Sequence, residues 1–488
     1  MKVFECRRCG AKYPINSTGY LCECGGHFQL AIDSQLKEST TKRSMWGVGS
    51  LASTLLEVVR QIDVERFGEG IDDDGQVKSI SPRAAEASKS ISEIDGHLIS
   101  LGEGLTPQIT DIVTSTPGDR VELKLDFLNP TLSYKDRGSS MIVSAAKYAG
   151  VTQAAVDSSG NAAVSLSAYC ARAGISLRVY LPEETSKSKI AQIKRFGGIV
   201  NQIPGDRSAT SEAIVEDLDR YHLYYMSHIY NPLFHHGTKS LLYELLSDNN
   251  KVLPDEIIIP AGNGTLLLGI EVALSELARH VSDLKVPRVV VVQAKNVAPI
   301  NSLLLEQISP SVTDRGVKDP HLQLTHGPDD ESMQLGYRTV APGVTWNLAD
   351  STMGDLHLSA LTEIGGDSWR GGHLSLPSTN SISNSTLAEG IAIAKPPRLI
   401  EMAEVISKRS WPVVVVDEEE IVEAKARLSL QGVDVEDTAA ATYAGAIKWL
   451  DYRRQSPLAA RDSSARGDGS HLTVVELTGA GLKSPYLS

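Results

Sequence analysis

A chain of 488 residues with 41% hydrophobic and 22% charged side chains is long enough for roughly two or three folding units and has ordinary globular composition. Its formal net charge of -13 argues against a nucleic-acid partner. The start Met1-Lys2-Val3-Phe4-Glu5-Cys6 lacks an apolar signal core, and the longest apolar runs, 289–292 and 413–416, are too short to span a bilayer; a cytoplasmic protein without membrane contact is expected.

Cys6, Cys9, Cys22 and Cys24 crowd the beginning of the chain, each pair followed by glycine, while Cys170 stands apart. That spacing suggests a zinc-ribbon-like knot over 1–32 rather than a disulfide scaffold, with free cysteines as the alternative. Four thiolates suit tetrahedral zinc in a structural role, because four protein ligands leave no open position for catalysis. The second pair has a single intervening residue, Glu23, which departs from the usual two. From 33 to 96 the chain is polar with helical pieces, notably 51–67, and reads as a mainly helical extension.

Leu101-Gly102-Glu103-Gly104-Leu105-Thr106-Pro107 is a glycine-rich loop that could shape the mouth of a site. A β-leaning run follows from Arg120 to Phe127, the chain breaks at Asn129-Pro130, and a helical pattern resumes from Gly138 to Tyr148. Lys135 therefore falls at a strand-to-helix turn, where an amine partly withdrawn from water can form a Schiff base. In isolation Lys135-Asp136-Arg137 reads as a solvated surface charge cluster; the motifs around it argue otherwise. The run 154–157 reads as a buried strand entering the turn Ser158-Ser159-Gly160-Asn161, before a helix over 162–173 whose amino terminus would welcome an anion. Alternating strands and helices continue to Tyr221, the mark of a parallel α/β sheet.

A helix is expected over 237–246, then the strand 256–260, the turn Gly262-Asn263-Gly264-Thr265 and a helix over 266–280. Two glycines permit close approach, and the helix dipole and the Thr265 hydroxyl favour a phosphate dianion. The loop lacks the lysine-serine ending of a nucleotide-triphosphate cradle. Residues 307–384 show no sustained periodicity and read as an insertion, either a lid or partner surface or a passive excursion. Regularity returns over 386–394, in a strand over 412–416, helices over 418–430 and 438–450, and a last strand over 472–477 that ends in Thr478-Gly479-Ala480-Gly481.

In this order the motifs resemble threonine synthases, within the pyridoxal-phosphate enzymes of the tryptophan-synthase β-like family (fold type II). The likeness covers about 97 to the carboxyl terminus outside the insertion. It implies an α/β fold of two parallel-sheet subdomains with the cofactor, pyridoxal 5'-phosphate, between them; 97–488 would be the catalytic core and 145–255 about the smaller subdomain. Lys135 would carry the cofactor covalently, and Asn161 would meet its ring hydroxyl. Gly262, Asn263, Gly264 and Thr265 would hold its phosphate, and Thr478 would face the pyridine nitrogen. Ser133, Ser158 and Ser159 would contact the amino-acid substrate.

The implied reaction converts O-phosphohomoserine and water to threonine and phosphate, with Lys135 also a general base at Cα and Cβ. The alternative is β-elimination or β-replacement on a serine-, threonine- or cysteine-type amino acid; a catalytically silent zinc-binding relative is disfavoured by the retained site residues. Two positions depart from the pattern, Ala162 where relatives have threonine and Phe234 where they have arginine. Losing that arginine removes charge-assisted bonds worth roughly 1.5–3 kcal/mol each. His235, His236 and Lys239 are the nearby groups that could compensate. Homodimers are usual in the family.

Overall fold

The computed structural model describes residues 2–14, 20–30, 98–205, 207–249, 252–278, 284–306, 337–341, 344–347, 385–455 and 470–483. The expected extension over 33–96 lies entirely outside them, as does most of 307–384. Strands β1 (Lys2–Cys6), β2 (Lys12–Pro14) and β3 (Phe28–Leu30) form a small antiparallel sheet in the order β2-β1-β3. Its apolar side chains, Phe4, Phe28 and Leu30, join the core of the neighbouring α/β layers, so the knot is docked on the main body.

Next come β4 (Gln108–Thr110), β5 (Asp119–Lys124) and helix α1 (Lys135–Tyr148). The chain then builds a four-stranded parallel sheet from β6 (Gln153–Asp157), α2 (Asn161–Ala173), β7 (Ser176–Pro182), α3 (Lys187–Arg195), β8 (Ile199–Ile203), α4 (Arg207–Tyr221) and β9 (Tyr224–Tyr225). The strand order is β8-β7-β6-β9.

Helices α5 (Pro232–Thr238) and α6 (Ser240–Asp248) lead to the larger sheet, made with β10 (Glu256–Pro260), α7 (Thr265–Leu277), β11 (Arg288–Ala294), α8 (Pro299–Glu306), β12 (Tyr337–Ala341), β13 (Val344–Asn347), α9 (Leu399–Arg409), β14 (Val413–Val416), α10 (Glu418–Leu430), α11 (Asp437–Gln455) and β15 (His471–Glu476). The eight strands run in the order β12-β13-β14-β11-β10-β15-β5-β4. The five from β14 to β5 are parallel. Ile257, Ile258, Ile259 and Val289 to Val292 are fully buried, as strands covered by helices on both faces must be. Burying each such side chain is worth roughly 1.5–3 kcal/mol.

Two boundaries and two whole elements depart from the sequence reading. Helix α1 starts at Lys135 because the Asp136 carboxylate reaches back to the Thr131 amide (2.6 Å) and hydroxyl (2.5 Å), winding the turn before Gly138. The helix expected from Gly237 begins at Pro232 and is split; the Asn231 side chain accepts from the Leu233 amide (3.1 Å), and proline fits the first helical position. Helix α9 was not expected at all. The insertion contributes a hairpin, β12 and β13, that extends the larger sheet through antiparallel pairing with β14. Among the described residues no helix is long and apolar enough to cross a membrane.

Candidate active site

Lys135 is half-buried at the first turn of α1. Its amine donates to the hydroxyl of Tyr134 and to Thr265 Oγ1 (3.2 Å), and these two hydroxyls are 2.8 Å apart. The loop before it is stitched to the end of β15. The Tyr134 amide donates to the Thr478 carbonyl (3.0 Å), the Ala480 amide donates to the Leu132 carbonyl (3.2 Å), and Ser133 bridges to Gly479. Leu132 pays for this path with φ +64°, a strained value for a branched side chain. The sequence offered Lys135, Ser133, Thr265 and Thr478 separately; the fold joins them in one place.

Three buried polar atoms in this place have no hydrogen-bond partner among the described residues: Ser133 Oγ, Thr478 Oγ1 and Asn263 Oδ1. An isolated buried polar group costs about 1–3 kcal/mol, so a cluster of them marks a surface built to meet a polar ligand. Asn263 belongs to the loop at the amino terminus of α7, where Gly264 has φ +77°. A Cβ on Gly264 would fall 2.1 Å from Met402 Sδ, and one on Gly262 would fall 2.9 Å from the Gly390 carbonyl oxygen. Both glycines are therefore required, and the first amides of α7 are presented at a dipole end that favours an anion.

The turn Ser158-Ser159-Gly160 is half-buried and opens α2, with Asn161 as its first residue. Asn161 Nδ2 lies 3.2 and 3.0 Å from the two carboxylate oxygens of Glu436, which stands before α11 on the other sheet. Sequence reasoning missed Glu436 and Tyr134. Tyr134 was adjacent to the lysine; for Glu436 no spacing to any motif pointed to it.

Behind the lysine, Asp136 and Arg137 are both buried, Asp136 accepting from Thr131 and Ser165 and Arg137 ion-paired, which overturns the surface-cluster reading. Arg137 makes a two-pronged contact with Asp126 (2.7 and 2.6 Å) and pairs with Glu244 (2.5 and 2.8 Å). Lys124 joins from β5, reaching Asp248 (2.9 Å) and the Thr106 carbonyl (2.7 Å). Burial opposes ionisation of Asp126, but Arg137 outweighs it and holds the carboxyl below its usual range. Glu476 is driven well above the carboxylate range by burial and then by the Asp126 charge, so it is a neutral acid beside an ionised one.

The two departures have plain structural roles. Ala162 is buried in the first turn of α2. Phe234 is fully buried with its ring against α1; a Cβ on Gly138 would lie 2.3 Å from ring carbon Cε1, and one on Gly237 would lie 2.2 Å from the Arg137 carbonyl oxygen. Of the three candidate compensators, Lys239 is bound to Glu276 (2.8 and 2.9 Å) and His236 faces the same carboxylate at 3.9 Å. Burial, then the charge of Arg398, pushes His235 well below the usual histidine range, so its ring is neutral.

At the far end, the sulfurs of Cys6, Cys9, Cys22 and Cys24 all lie within 4.8 Å of one another, spacing that a single metal ion would fit. A Cβ on Gly26 would fall 2.5 Å from Cys6 Sγ, so glycine there lets the chain close around the sulfurs. His27 is outside the cluster, stacked on Tyr230 at 6.0 Å. Arg7 pairs with Glu401, and Arg398, buried, donates to the carbonyls of Ile229 (2.7 Å), Tyr230 (3.1 Å) and Phe28 (3.4 Å), tying knot, loop and α9 together.

A family model described as pyridoxal-phosphate dependent enzyme matches residues 99–356. Threonine synthase of Methanocaldococcus jannaschii is 27% identical over 300 residues, which cover 61% of this chain and 66% of that protein. Threonine synthase of Mycobacterium tuberculosis is 31% identical over 205 residues, 41% of this chain and 56% of that protein. The match thus spans just under two thirds, or less, of the length of these relatives. Among solved structures, threonine deaminase isoform 2 from Solanum lycopersicum aligns with a TM-score of 0.53 at 15% identity, covering 80% of this chain and 85% of that one. Maize serine racemase aligns with a TM-score of 0.52 at 16% identity, covering 80% and 93%. These two likenesses establish the α/β fold with its pair of sheets.

Proposed function

The chain belongs to the pyridoxal-phosphate-dependent enzymes, and from that premise we propose that it is a lyase of the threonine synthase type, acting on O-phosphohomoserine and water. The observation that carries the reading is the set of unpartnered buried atoms, Ser133 Oγ, Asn263 Oδ1 and Thr478 Oγ1, gathered with the Lys135 amine. The residues fit the cofactor. The two-glycine loop and Thr265 suit its phosphate, the Thr478 hydroxyl suits the pyridine nitrogen, Asn161 suits the ring hydroxyl, and Lys135 supplies the amine that holds it.

When bound, pyridoxal phosphate supplies an electron sink for the bond to hydrogen at Cα of the amino acid. The Lys135 amine, once released, takes the Cα proton and then a proton at Cβ, and returns protons to carbon later in the cycle. A neutral hydroxyl at Thr478 leaves the pyridine nitrogen less protonated than a carboxylate would. Ser133, Ser158, Ser159 and the first amides of α2 orient the substrate carboxylate. In the net reaction phosphate leaves Cγ, a proton takes its place, and the hydroxyl of water ends on Cβ.

The test is release of phosphate and formation of threonine from O-phosphohomoserine by cofactor-loaded protein, with Lys135→Ala as the blank. Turnover that depends on Lys135 supports the reading. Protein that shows the visible band of bound cofactor but no turnover overturns it in favour of a second reading, elimination from a phosphate-free hydroxy amino acid. That second reading is favoured by Phe234, whose ring fills a helix crossing, and by Lys239, which is neutralised by Glu276. Serine or threonine would then yield a 2-oxo acid and ammonia.

The cysteine quartet holds one structural zinc; Cys6→Ser should lower metal content from near one per chain, and zinc-free fresh wild type would refute the site. A homodimer is what the family resemblance implies, and Leu105 and Ile112, 75% and 78% exposed on either side of β4, are the side chains on which to test it. Leu105→Glu with Ile112→Glu should shift the mass in light scattering to that of a single chain, whereas a wild type already monomeric would dismiss the dimer.

A further inference from the structure

Glu436 has no place in the reading so far, yet it is held more tightly than a loop carboxylate ordinarily is. Its amide donates to the Gly479 carbonyl (3.0 Å), and its own carbonyl accepts from Ala439 and Ala440 (both 3.0 Å) at the start of α11. Its carboxylate lies so close to Gly479 that a Cβ there would be 2.3 Å from Cδ. From this position it meets Asn161 Nδ2 with both oxygens, at 3.2 and 3.0 Å. Asn161 stands on α2, packed on the four-stranded sheet, and Gly479 follows the last strand of the larger one. One carboxylate therefore ties the two sheets together between Asn161 and the residue after Thr478.

A primary amide presents two hydrogens at one end and an acceptor at the other. A carboxylate accepts only, so it holds the amide with its nitrogen inward and resists a flip. We infer that Glu436 is the positioning residue for Asn161, fixing the orientation of that amide where it meets the cofactor's ring oxygen and disfavouring negative charge on that oxygen. The inference rests on the proposed use of pyridoxal phosphate. Its second half follows from sign alone: a carboxylate just beyond the Asn161 amide raises the cost of a second negative charge on that oxygen, and more so in a partly buried cleft than in water.

The experiment uses the full-length protein with pyridoxal phosphate, and measures cofactor affinity and the pH midpoint of its visible absorbance in wild type, Glu436→Gln and Glu436→Ala. Gln keeps an acceptor and removes the charge; Ala removes both. Glu436→Ala should bind the cofactor roughly tenfold more weakly, the loss of one charge-assisted hydrogen bond. Glu436→Gln should stay within about threefold in affinity, while its midpoint moves to lower pH because the anionic form has lost a repulsive neighbour. Should Glu436→Ala prove poorly folded by circular dichroism, Glu436→Gln decides alone: a lowered midpoint upholds the inference, since a merely structural contact would not move it. Unchanged midpoint and affinity overturn it while leaving the cofactor reading intact. A wild type with no visible band takes both readings down.

Discussion

Two polar regions lie on either side of Lys135, and they are built to opposite rules. Behind it, Arg137, Asp126, Glu244 and Lys124 form a buried ionic network in which each charge meets an opposite one. In front of it, Ser133, Thr478 and Asn263 hold buried oxygens that meet no hydrogen-bond partner among the described residues. A buried charge is tolerated only when paired, so the first region is committed to the fold. Unpartnered oxygens cost stability unless something else binds them, so the second is committed to a ligand. Burial and polarity are shared by both; partnership separates them.

Removing one residue from each side should separate the two regions most clearly. Lys135→Ala should abolish turnover and the visible absorbance of bound cofactor while leaving the circular dichroism spectrum in place; an unchanged absorbance would refute its role. Arg137→Met should do the reverse kind of damage. It leaves Asp126 and Glu244 buried without their cation, a loss of about 3–5 kcal/mol that urea unfolding would register. A loss under about 1 kcal/mol would mean water reaches the network and the pairing is not what holds it.

Thr478→Val sharpens the contrast from the ligand side. Valine matches threonine in shape, so the cofactor-free protein should unfold at the same or higher temperature, because an unpaired hydroxyl has gone. Cofactor affinity should fall by about fivefold, one modest hydrogen bond. Destabilisation of the cofactor-free protein would show that the hydroxyl has a structural partner after all.

The smallest effect concerns the neutral acid at the edge of the network. Glu476 is raised in the folded state by burial and Asp126, whereas an unfolded glutamate ionises near pH ~4.3. Its contribution is fully present below that pH and is lost as pH rises toward the folded value, since the unfolded chain gains by ionising. Glu476→Gln removes this penalty, so its thermal stability should exceed wild type more at pH 8 than at pH 4. An equal difference at both would mean Glu476 is ionised in the fold.

Much of the α/β order was legible because it rests on local signals. β10 falls at 256–260 and α10 at 418–430, where the sequence placed them, since a run of isoleucines makes a buried strand and the Asp417 capping box starts a helix. The two-glycine loop before α7 was legible for the same reason. Less legible was α9, which lacks a side-chain cap at Arg398 and is recruited by contacts far away in the chain, with the knot and the loop at 229–230. The hairpin β12–β13 was hidden because its strands are short and are placed by the pairing of β13 with β14, not by their own periodicity.

By itself, the sequence determined which residues could do chemistry: an amine at a helix start, a glycine cradle at another, a hydroxyl after the last strand, four clustered thiols. Residue type and near-neighbour geometry decide these, and both are written along the chain. Tertiary structure alone decided which charges were structural and which atoms were left for a ligand. Asp126, Arg137 and Glu244 are spread over more than a hundred positions, as are Asn161 and Glu436, and only folding sets their distances. It also decided that Phe234 fills a helix crossing, because the space it fills exists only once α5 lies against α1.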